Sequence, residues 1–139
     1  DSHVAARFVK WEIIEPRHEQ PNILATMGPV TLSFILQVNK PISNGNHSIS
    51  LFSSDNQLIW ATGVGNLKVD SGIREFVYTL PSLPLRPGVY YWQVNLYEEY
   101  RLVDFWNCVP EMIIGTEPTS HLPDTGQGIL NLPWEFRVR

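Results

Sequence analysis

The sequence lacks several features that mark common classes of protein. Its 139 residues contain one cysteine, Cys108, which excludes an internal disulfide framework. Lys and Arg number 10 against 14 Asp and Glu, and the net charge of −4 argues against a nucleic-acid binder. No apolar run approaches the ~18 residues of a membrane span, and no signal-peptide pattern opens the printed sequence. The sequence starts at Asp1 rather than Met, so we expect a fragment or a processed chain.

Helix signals are nearly absent, because 11 prolines interrupt the sequence and proline breaks helices. A hydrophobic content of 43% with only 17% charged residues indicates a folded domain, and the length favours a single one over residues 1–139. Short β-rich runs lie between turn residues, which predicts an all-β, antiparallel β-sandwich of immunoglobulin-like or jelly-roll type. The predicted strands lie near 5–14, 31–38, 47–52, 57–62, 73–80, 89–97, 109–114 and 134–138.

Turn residues separate the predicted strands. Asn44–Asn46 and Gly63–Gly65 are both expected in turns, since Asn and Gly tolerate a positive φ. Further turns are predicted at 54–56, 70–72 and 86–88. The polar, Gly/Pro-rich segment 115–133 is unusually long for a loop in a compact domain and suggests an exchanged arm that precedes the strand at 134–138.

Alternation along the strands divides their side chains between two faces. One face is apolar and should form the core, with Phe34, Leu36, Phe76, Tyr78, Tyr90, Trp92 and Val94 buried between two sheets. The other face is polar or aromatic and nearly without charge. Its members are Ser33, Gln37, Ser48, Ser50, Thr79, Tyr91, Gln93, Asn95 and Tyr97.

Catalytic and cofactor-binding signatures are missing from the sequence. No Gly-x4-Gly-Lys-Ser/Thr phosphate-binding loop is present. The four histidines fall in predicted strand ends or loops without metal-ligand spacing, and Cys108 is expected to be a buried, inert thiol. Glu98 and Glu99 are expected in a hairpin turn and Asp104 as a turn cap, so no acid–base pair can be assembled. We therefore expect no enzyme, no cofactor and no metal.

A pattern of turns and strands gives the sequence a resemblance to a known family. Leu85–Tyr90 reads Leu-x-Pro-Gly-x-Tyr, in which a Pro-Gly turn starts a strand whose Tyr enters the core. Around it, in the family's order, stand Phe8 to Ile14, Met27-Gly28-Pro29, Val30 to Val38, Asp55 to Ile59, Val103-Asp104 and Gly128 to Trp134. This order resembles the carbohydrate-binding C-terminal domain of Wzt-type ATP-binding subunits, which belong to ABC transporters that export O-antigen and related polysaccharides. The resemblance covers most of residues 4–134.

Two positions depart from the family pattern. Met112-Ile113-Ile114 stands where Phe-x-Val is usual, and Asp55-Asn56 replaces an Asp-Gly hairpin. Both departures leave the subfamily and the glycan open.

The resemblance implies a β-sandwich that recognises a finished polysaccharide before export. It also implies a homodimer with an exchanged C-terminal strand, and a cytoplasmic location at the inner face of the inner membrane. A nucleotide-binding ATPase domain would lie upstream of Asp1 and would couple the chain to a membrane subunit. The domain itself would insert in no membrane.

Two functions remain open for the polar face. As a glycan-binding surface, its rings would stack on sugars and its amides and hydroxyls would bind sugar hydroxyls. The predicted carbohydrate-binding residues are Tyr91, Gln93, Asn95, Tyr97, Ser33 and Gln37, with Tyr91→Ala and Asn95→Ala expected to abolish binding. The segment 98–107, with Tyr100 and Trp106, is the other candidate location. Alternatively, the same face binds another protein, because Tyr and Trp are also common in protein interfaces.

Overall fold

A computed structural model describes residues 4–115 and 126–139 of the chain. In those two ranges every regular element is a β-strand, and no helix there is long and apolar enough to cross a membrane. The strands are β1 (Ala6–Glu15), β2 (Ile23–Leu24), β3 (Val30–Val38), β4 (Ile42–Ser53), β5 (Leu58–Val69), β6 (Gly72–Leu80), β7 (Gly88–Glu98), β8 (Arg101–Asn107) and β9 (Met112–Ile114).

The strands form two sheets packed as a sandwich. One sheet has three antiparallel strands in the order β1-β3-β6. The other has the order β2-β9-β7-β4-β5, with β8 also paired to β7, and β2 and β9 are its parallel pair. The rings of Phe34 in the first sheet and Trp92 in the second meet edge to face, with centroids 6.3 Å apart. The predicted all-β sandwich is thus confirmed.

The core lies where the alternation pattern placed it. Phe34, Leu36, Trp92 and Val94 are completely buried, and Tyr90 is nearly so. The two predicted core residues of β6, which are Phe76 and Tyr78, are half-buried and pack against the core. Both β1 and β6 are edge strands of that sheet, but a hydrogen bond ties β1 to β8 of the other sheet, whereas a cleft beside β6 leaves Phe76 and Tyr78 partly open.

Two predicted turns are wrong, because Asn44–Asn46 lies inside β4 and Gly63–Gly65 inside β5. Glycine serves a close approach in β4 rather than a turn: a Cβ on Gly45 would lie 2.9 Å from Cγ2 of Ile42. The pairing of β4 with β5 shifts register on either side of Gly45, which marks an irregular, bulged strand. Both strands are consequently longer than their sequence patterns suggested.

The segment 98–107, expected as a loop, contains a short turn followed by β8. Glu99 has a positive φ of 56° between β7 and β8, so the hairpin turn predicted there is confirmed, while Glu98 is the last residue of β7. Asp104 does not cap a turn. Its Oδ2 accepts a hydrogen bond of 2.8 Å from the backbone N–H of Phe8 and so ties β8 to β1 of the other sheet.

The first part of the described C-terminal segment is hydrogen-bonded to its own chain, and the part after it is exposed. The N–H of Arg86 donates to the carbonyl of Ile129 and the N–H of Asn131 to that of Pro84, both at 2.8 Å. Beyond them, the strand expected at 134–138 does not form in the single chain, because it meets no strand edge there. Its apolar side chains are exposed: Trp134 by 81%, Phe136 by 76% and Val138 by 84%. Residues 116–125 of the predicted arm lie outside the described residues.

We expect Trp92→Ala to destabilise the domain by about 3–5 kcal/mol, because a fully buried indole leaves a cavity between the sheets. Tyr100→Ala is the control and should leave the free energy of unfolding unchanged, since that aromatic side chain is fully exposed. Urea unfolding followed by circular dichroism measures both. A loss of less than about 1 kcal/mol in Trp92→Ala would contradict the described core.

Candidate functional site

The six-stranded sheet has an outer face that points away from the three-stranded sheet. Cross-strand pairing defines it, because residues directly opposite in a pair point to the same side. Ser48 lies opposite Asn95, and Asn46 opposite Tyr97. By the same register the outer face carries Asn46, Ser48, Ser50 and Phe52 of β4, Tyr91, Gln93, Asn95 and Tyr97 of β7, and Phe105 and Asn107 of β8. These side chains are aromatic or neutral and polar, and none is charged.

The predicted binding residues do not all share this face, and the assignment of Ser33 and Gln37 to it is wrong. Both belong to β3 of the three-stranded sheet and point to the opposite side of the sandwich. Ser33 is also completely buried, and its hydroxyl donates to Oε2 of Glu75 at 2.5 Å. Alternation gives the side of a strand on which a residue lies, but it does not tell which sheet contains that strand.

Two further predicted residues lie on the outer face but are held by contacts within the chain. The Tyr91 hydroxyl donates to Oδ1 of Asn56 at 2.6 Å, and its ring stacks on Phe52 with centroids 5.2 Å apart. Gln93 Nε2 donates to Oδ1 of Asn107 at 2.9 Å. Both side chains are therefore oriented before any ligand arrives.

A depression of about 280 Å³ indents the other end of the outer face. Its lining includes Asn46 and Ser48 of β4, Gly63 and Gly65 of β5, and Asn95 and Tyr97 of β7. The two glycines create the concavity, because they place no side chain beside β4. A Cβ on Gly65 would lie 3.0 Å from Oδ1 of Asn46, and one on Gly63 would lie 3.3 Å from the carbonyl of His47.

Asn95 is the polar centre of this depression. Its Oδ1 accepts hydrogen bonds from the Ser48 hydroxyl at 2.8 Å and from the Ser48 N–H at 3.2 Å. That pair fixes the amide so that Nδ2 is left as a donor. The aromatic ring of Tyr97 stands beside it, 36% exposed. A ring next to oriented neutral donors and acceptors suits a ligand with hydroxyl groups and no charge.

Sequence reasoning missed Asn46, Gly63 and Gly65 because it placed them in turns. A signal was present: Gly63 and Gly65 are two positions apart, so in a strand they leave the same face bare. Glycine within a strand pattern often marks a bulge or a close approach.

The alternative location at 98–107 does not assemble into a joint site. Tyr100 is fully exposed at the tip of the hairpin turn, whereas Trp106 is half-buried and packs against the core. The two rings therefore belong to different surroundings, one in solvent and one beneath the sheet.

Reactive groups in the described part of the chain are few. No cluster of three His, Cys, Asp or Glu residues there could hold a metal ion. Cys108 is buried as expected, and burial raises the pKa of its thiol well above the usual range, which keeps it protonated.

His47 is a buried ionisable residue that also belongs to the lining of the depression. It lies in the middle of β4 rather than at a strand end as expected. Its Nδ1 lies 2.7 Å from the carbonyl oxygen of Asn95. A carbonyl can only accept, so Nδ1 carries the proton and Nε2 is an acceptor. Burial lowers the pKa of His47 below 6.5, and the ring is neutral at pH 7.

This lowered pKa predicts a loss of stability in acid. Below the unfolded-state pKa of about 6.5, His47 is protonated in the unfolded chain but stays neutral in the folded one. The free energy of unfolding should therefore fall as pH drops below that value, by up to about 1.4 kcal/mol per pH unit. Tyr78, which faces the ring, stays protonated because burial raises its pKa to about 12.

Urea unfolding between neutral and mildly acidic pH measures that slope. His47→Gln should flatten it, while His18→Gln, at an exposed position, should leave it unchanged. An identical slope in His47→Gln would show that other groups cause the acid sensitivity.

Comparisons with known proteins bear on the fold. No protein-family model matches the sequence, and no curated protein matches it. The crystal structure of the C-terminal domain of Wzt superimposes with a TM-score of 0.69 at 15% identity, covering 98% of this chain and 85% of that one. A β-glucuronidase from Bacteroides uniformis gives a TM-score of 0.53 at 15% identity, over 74% of this chain but 14% of the enzyme.

The enzyme match involves a small part of a long chain, so it concerns a domain shape and no activity. The Wzt match covers nearly the whole of this chain and most of the other. The resemblance is confirmed at the level of the fold: this chain has the fold of the C-terminal domain of Wzt.

Proposed function

We propose that this domain binds a polysaccharide without altering it, as the substrate-recognition module of an ABC exporter. The fold shared with the C-terminal domain of Wzt supports this role. The observation that carries it is the uncharged depression, in which Tyr97 and Asn95 stand beside a floor left bare by Gly63 and Gly65. Its named lining includes no carboxylate that could act as an acid or a base, which favours binding over hydrolysis.

The chemistry of the depression favours a neutral glycan of the O-antigen kind. Tyr97 and Asn95 lie two residues apart on β7, so their side chains are ~6.6–6.8 Å apart along the strand. That spacing is near the length of one hexose ring, so the ring of Tyr97 and the amide of Asn95 address neighbouring positions of a glycan. Each such contact competes with water and contributes ~1 kcal/mol. A single domain therefore binds weakly, and two linked copies bind a repeating chain more tightly.

The proposed setting is a longer cytoplasmic protein at the inner face of the inner membrane. An ATPase domain upstream of the printed sequence powers export, and a membrane subunit provides the path. This domain selects the polysaccharide and needs neither a cofactor nor nucleic acid.

We also propose that the domain is a homodimer joined by its C-terminal residues. Trp134, Phe136 and Val138 alternate as in a strand yet are exposed, which is unfavourable unless another chain covers them. Pairing of this segment with a sheet of a second copy would bury all three and satisfy its backbone.

Binding is tested by isothermal titration with the purified polysaccharide of the source strain. Gly65→Val fills the depression without removing a polar group, and Asn46 Oδ1 can move aside. We expect Gly65→Val to abolish binding and Tyr97→Ala or Asn95→Ala to weaken it at least fivefold, at ~1 kcal/mol per contact. Gln37→Ala, on the opposite sheet, is the control and should bind normally.

Unchanged affinity in Gly65→Val would move the site away from the depression. Tyr91→Ala then locates it further along the outer face, because Tyr91 lies beyond the depression lining. If both variants bind normally, the outer face is not the glycan site.

Assembly is tested by truncation after Pro133, which keeps the contacts of Ile129 and Asn131 with their own chain. Sedimentation velocity should show a dimer for the full domain and a monomer for the truncated one. A truncated domain that remains a dimer would exclude the C-terminal segment as the contact.

A protein-binding role is the second candidate. Leu102 and Phe105 of β8 are about half exposed, and each lies opposite a residue of β7 on the outer face. Such an apolar border beside Tyr97 is also typical of protein interfaces. A change in Trp and Tyr fluorescence with soluble polysaccharide favours the first role, and a change with a protein partner alone favours the second.

A further inference from the structure

Strand β6 has an edge along which no other described strand is paired. It pairs with β3 alone, over the nine residues from Gly72 to Leu80 and without a register shift. The backbone N–H and C=O groups on a regular, unpaired edge need partners, so such an edge is a template for another strand. The length of β6 is sufficient for a strand of the size predicted at 134–138.

The inner side of the same edge is incompletely covered. Phe76 and Tyr78 are half-buried, and a cleft of about 260 Å³ lies beside them, with Leu67 of β5 in its wall. The sandwich is therefore open between β5 and β6. A further strand along β6 would close this opening if it carried apolar side chains on its inner face.

The other strand edges are less suited to receive a strand. On β1 the N–H of Phe8 donates to Oδ2 of Asp104 at 2.8 Å. The N–H of Ile13 on the same strand donates to the carbonyl of Pro21, also at 2.8 Å. The pairing of β5 with β4 shifts register at several points, β2 is two residues long, and β8 is tied to β1. Irregular, short or already bonded edges are poor templates for a further strand.

The C-terminal segment has the alternation that the edge of β6 requires. Residues 129–131 are bonded to their own chain, and the residues after them are exposed. Trp134, Phe136 and Val138 alternate with Glu135 and Arg137. In a strand the three apolar side chains share one face and the two charged ones the other. The segment therefore has one face suited to a core, yet in the single chain that face is exposed to solvent.

An antiparallel register matches aromatic side chains across the two strands. Phe136 is set opposite Phe76 in this register. Trp134, two residues earlier, then comes opposite Tyr78. Aromatic pairs directly opposite on one face of a sheet stabilise it, and both of these pairs would cover the cleft.

Charged side chains select the same register and the same direction. On the outer side of the added strand, Arg137 comes opposite Glu75, which is exposed. Opposite charges in such a pair stabilise a sheet. A parallel strand with Phe136 at the same position would instead set Glu135 against Glu75, and like charges directly opposite are destabilising.

We propose that residues 134–138 of each copy add as an antiparallel strand to the edge of β6 in the other copy, with the partner's Phe136 opposite Phe76. The inference rests on the proposed homodimer and names the edge at which the two copies join. The exchange is reciprocal, so each sandwich donates one strand and receives one, as a two-fold dimer requires. The added strand extends the three-stranded sheet and closes the opening between β5 and β6.

Cysteine crosslinking tests the edge. Val77→Cys with Glu135→Cys places two exposed thiols opposite each other in the proposed register, within the distance that a disulfide spans. Cys108 is buried and does not compete. Under mild oxidation we expect a covalent dimer of this variant on a non-reducing gel.

Val9→Cys with Glu135→Cys is the matched control, because Val9 is exposed to a similar extent, 44% against 50% for Val77, on the other edge strand of the same sheet. It should give little covalent dimer. Equal crosslinking of the two variants, or a disulfide within one chain, would overturn the proposal. A domain that sediments as a dimer without crosslinking through Val77→Cys would retain the homodimer and overturn β6 as its edge. A domain that sediments as a monomer would overturn both.

Charge reversal provides a second measurement. Glu75→Arg or Arg137→Glu alone should raise the dissociation constant of the dimer about twofold to fivefold, the range expected for an exposed ion pair. The double variant should return it to the original value, because the pair is restored with its charges exchanged. Additive weakening in the double variant would overturn the proposed register.

Discussion

Packing between the two sheets determines which side chains are left for function. Three neighbours fix the position of Trp92. The rings of Phe34 and Trp60 meet its ring edge to face, with centroids 6.3 and 6.5 Å away, and its Nε1 donates to Sδ of Met112. With Trp92 fixed inside, alternation turns its neighbours on β7 to the outer face. The backbone beneath the outer face is held by the core, because Tyr91, Gln93 and Asn95 each lie between two buried residues of β7.

Periodicity predicted the core well and the site only in part. Trp92 and Val94 were placed correctly because a strand has two faces and one of them must be apolar. Ser33 and Gln37 were misplaced because the sheet that a strand joins depends on distant pairing, here between β3 and β6. The alternating polar side chains of β7 could be predicted from its own sequence. The depression could not, because it also depends on the position of Gly65 in β5.

The irregular pairing between β4 and β5 affects both the free edge of β5 and the outer-face depression. A long edge strand exposes unpaired backbone groups and invites aggregation. Register shifts near Gly45 interrupt the ladder and make β5 a poor template for another chain. Gly65 lies at the register shift between the pairs Gly45–Leu67 and His47–Val64, and it also leaves part of the floor of the depression bare. A binding surface and a protected edge thus arise from the same residues.

The buried side chain of His47 on β4 contributes to the orientation of the depression. His47 could be replaced by an apolar residue with no loss of strand pairing, because its backbone pairs regardless of its side chain. Its Nδ1, however, binds the carbonyl of Asn95, and the side chain of Asn95 orients the depression. His47 therefore supports β7 from within at the position where Asn95 faces outward.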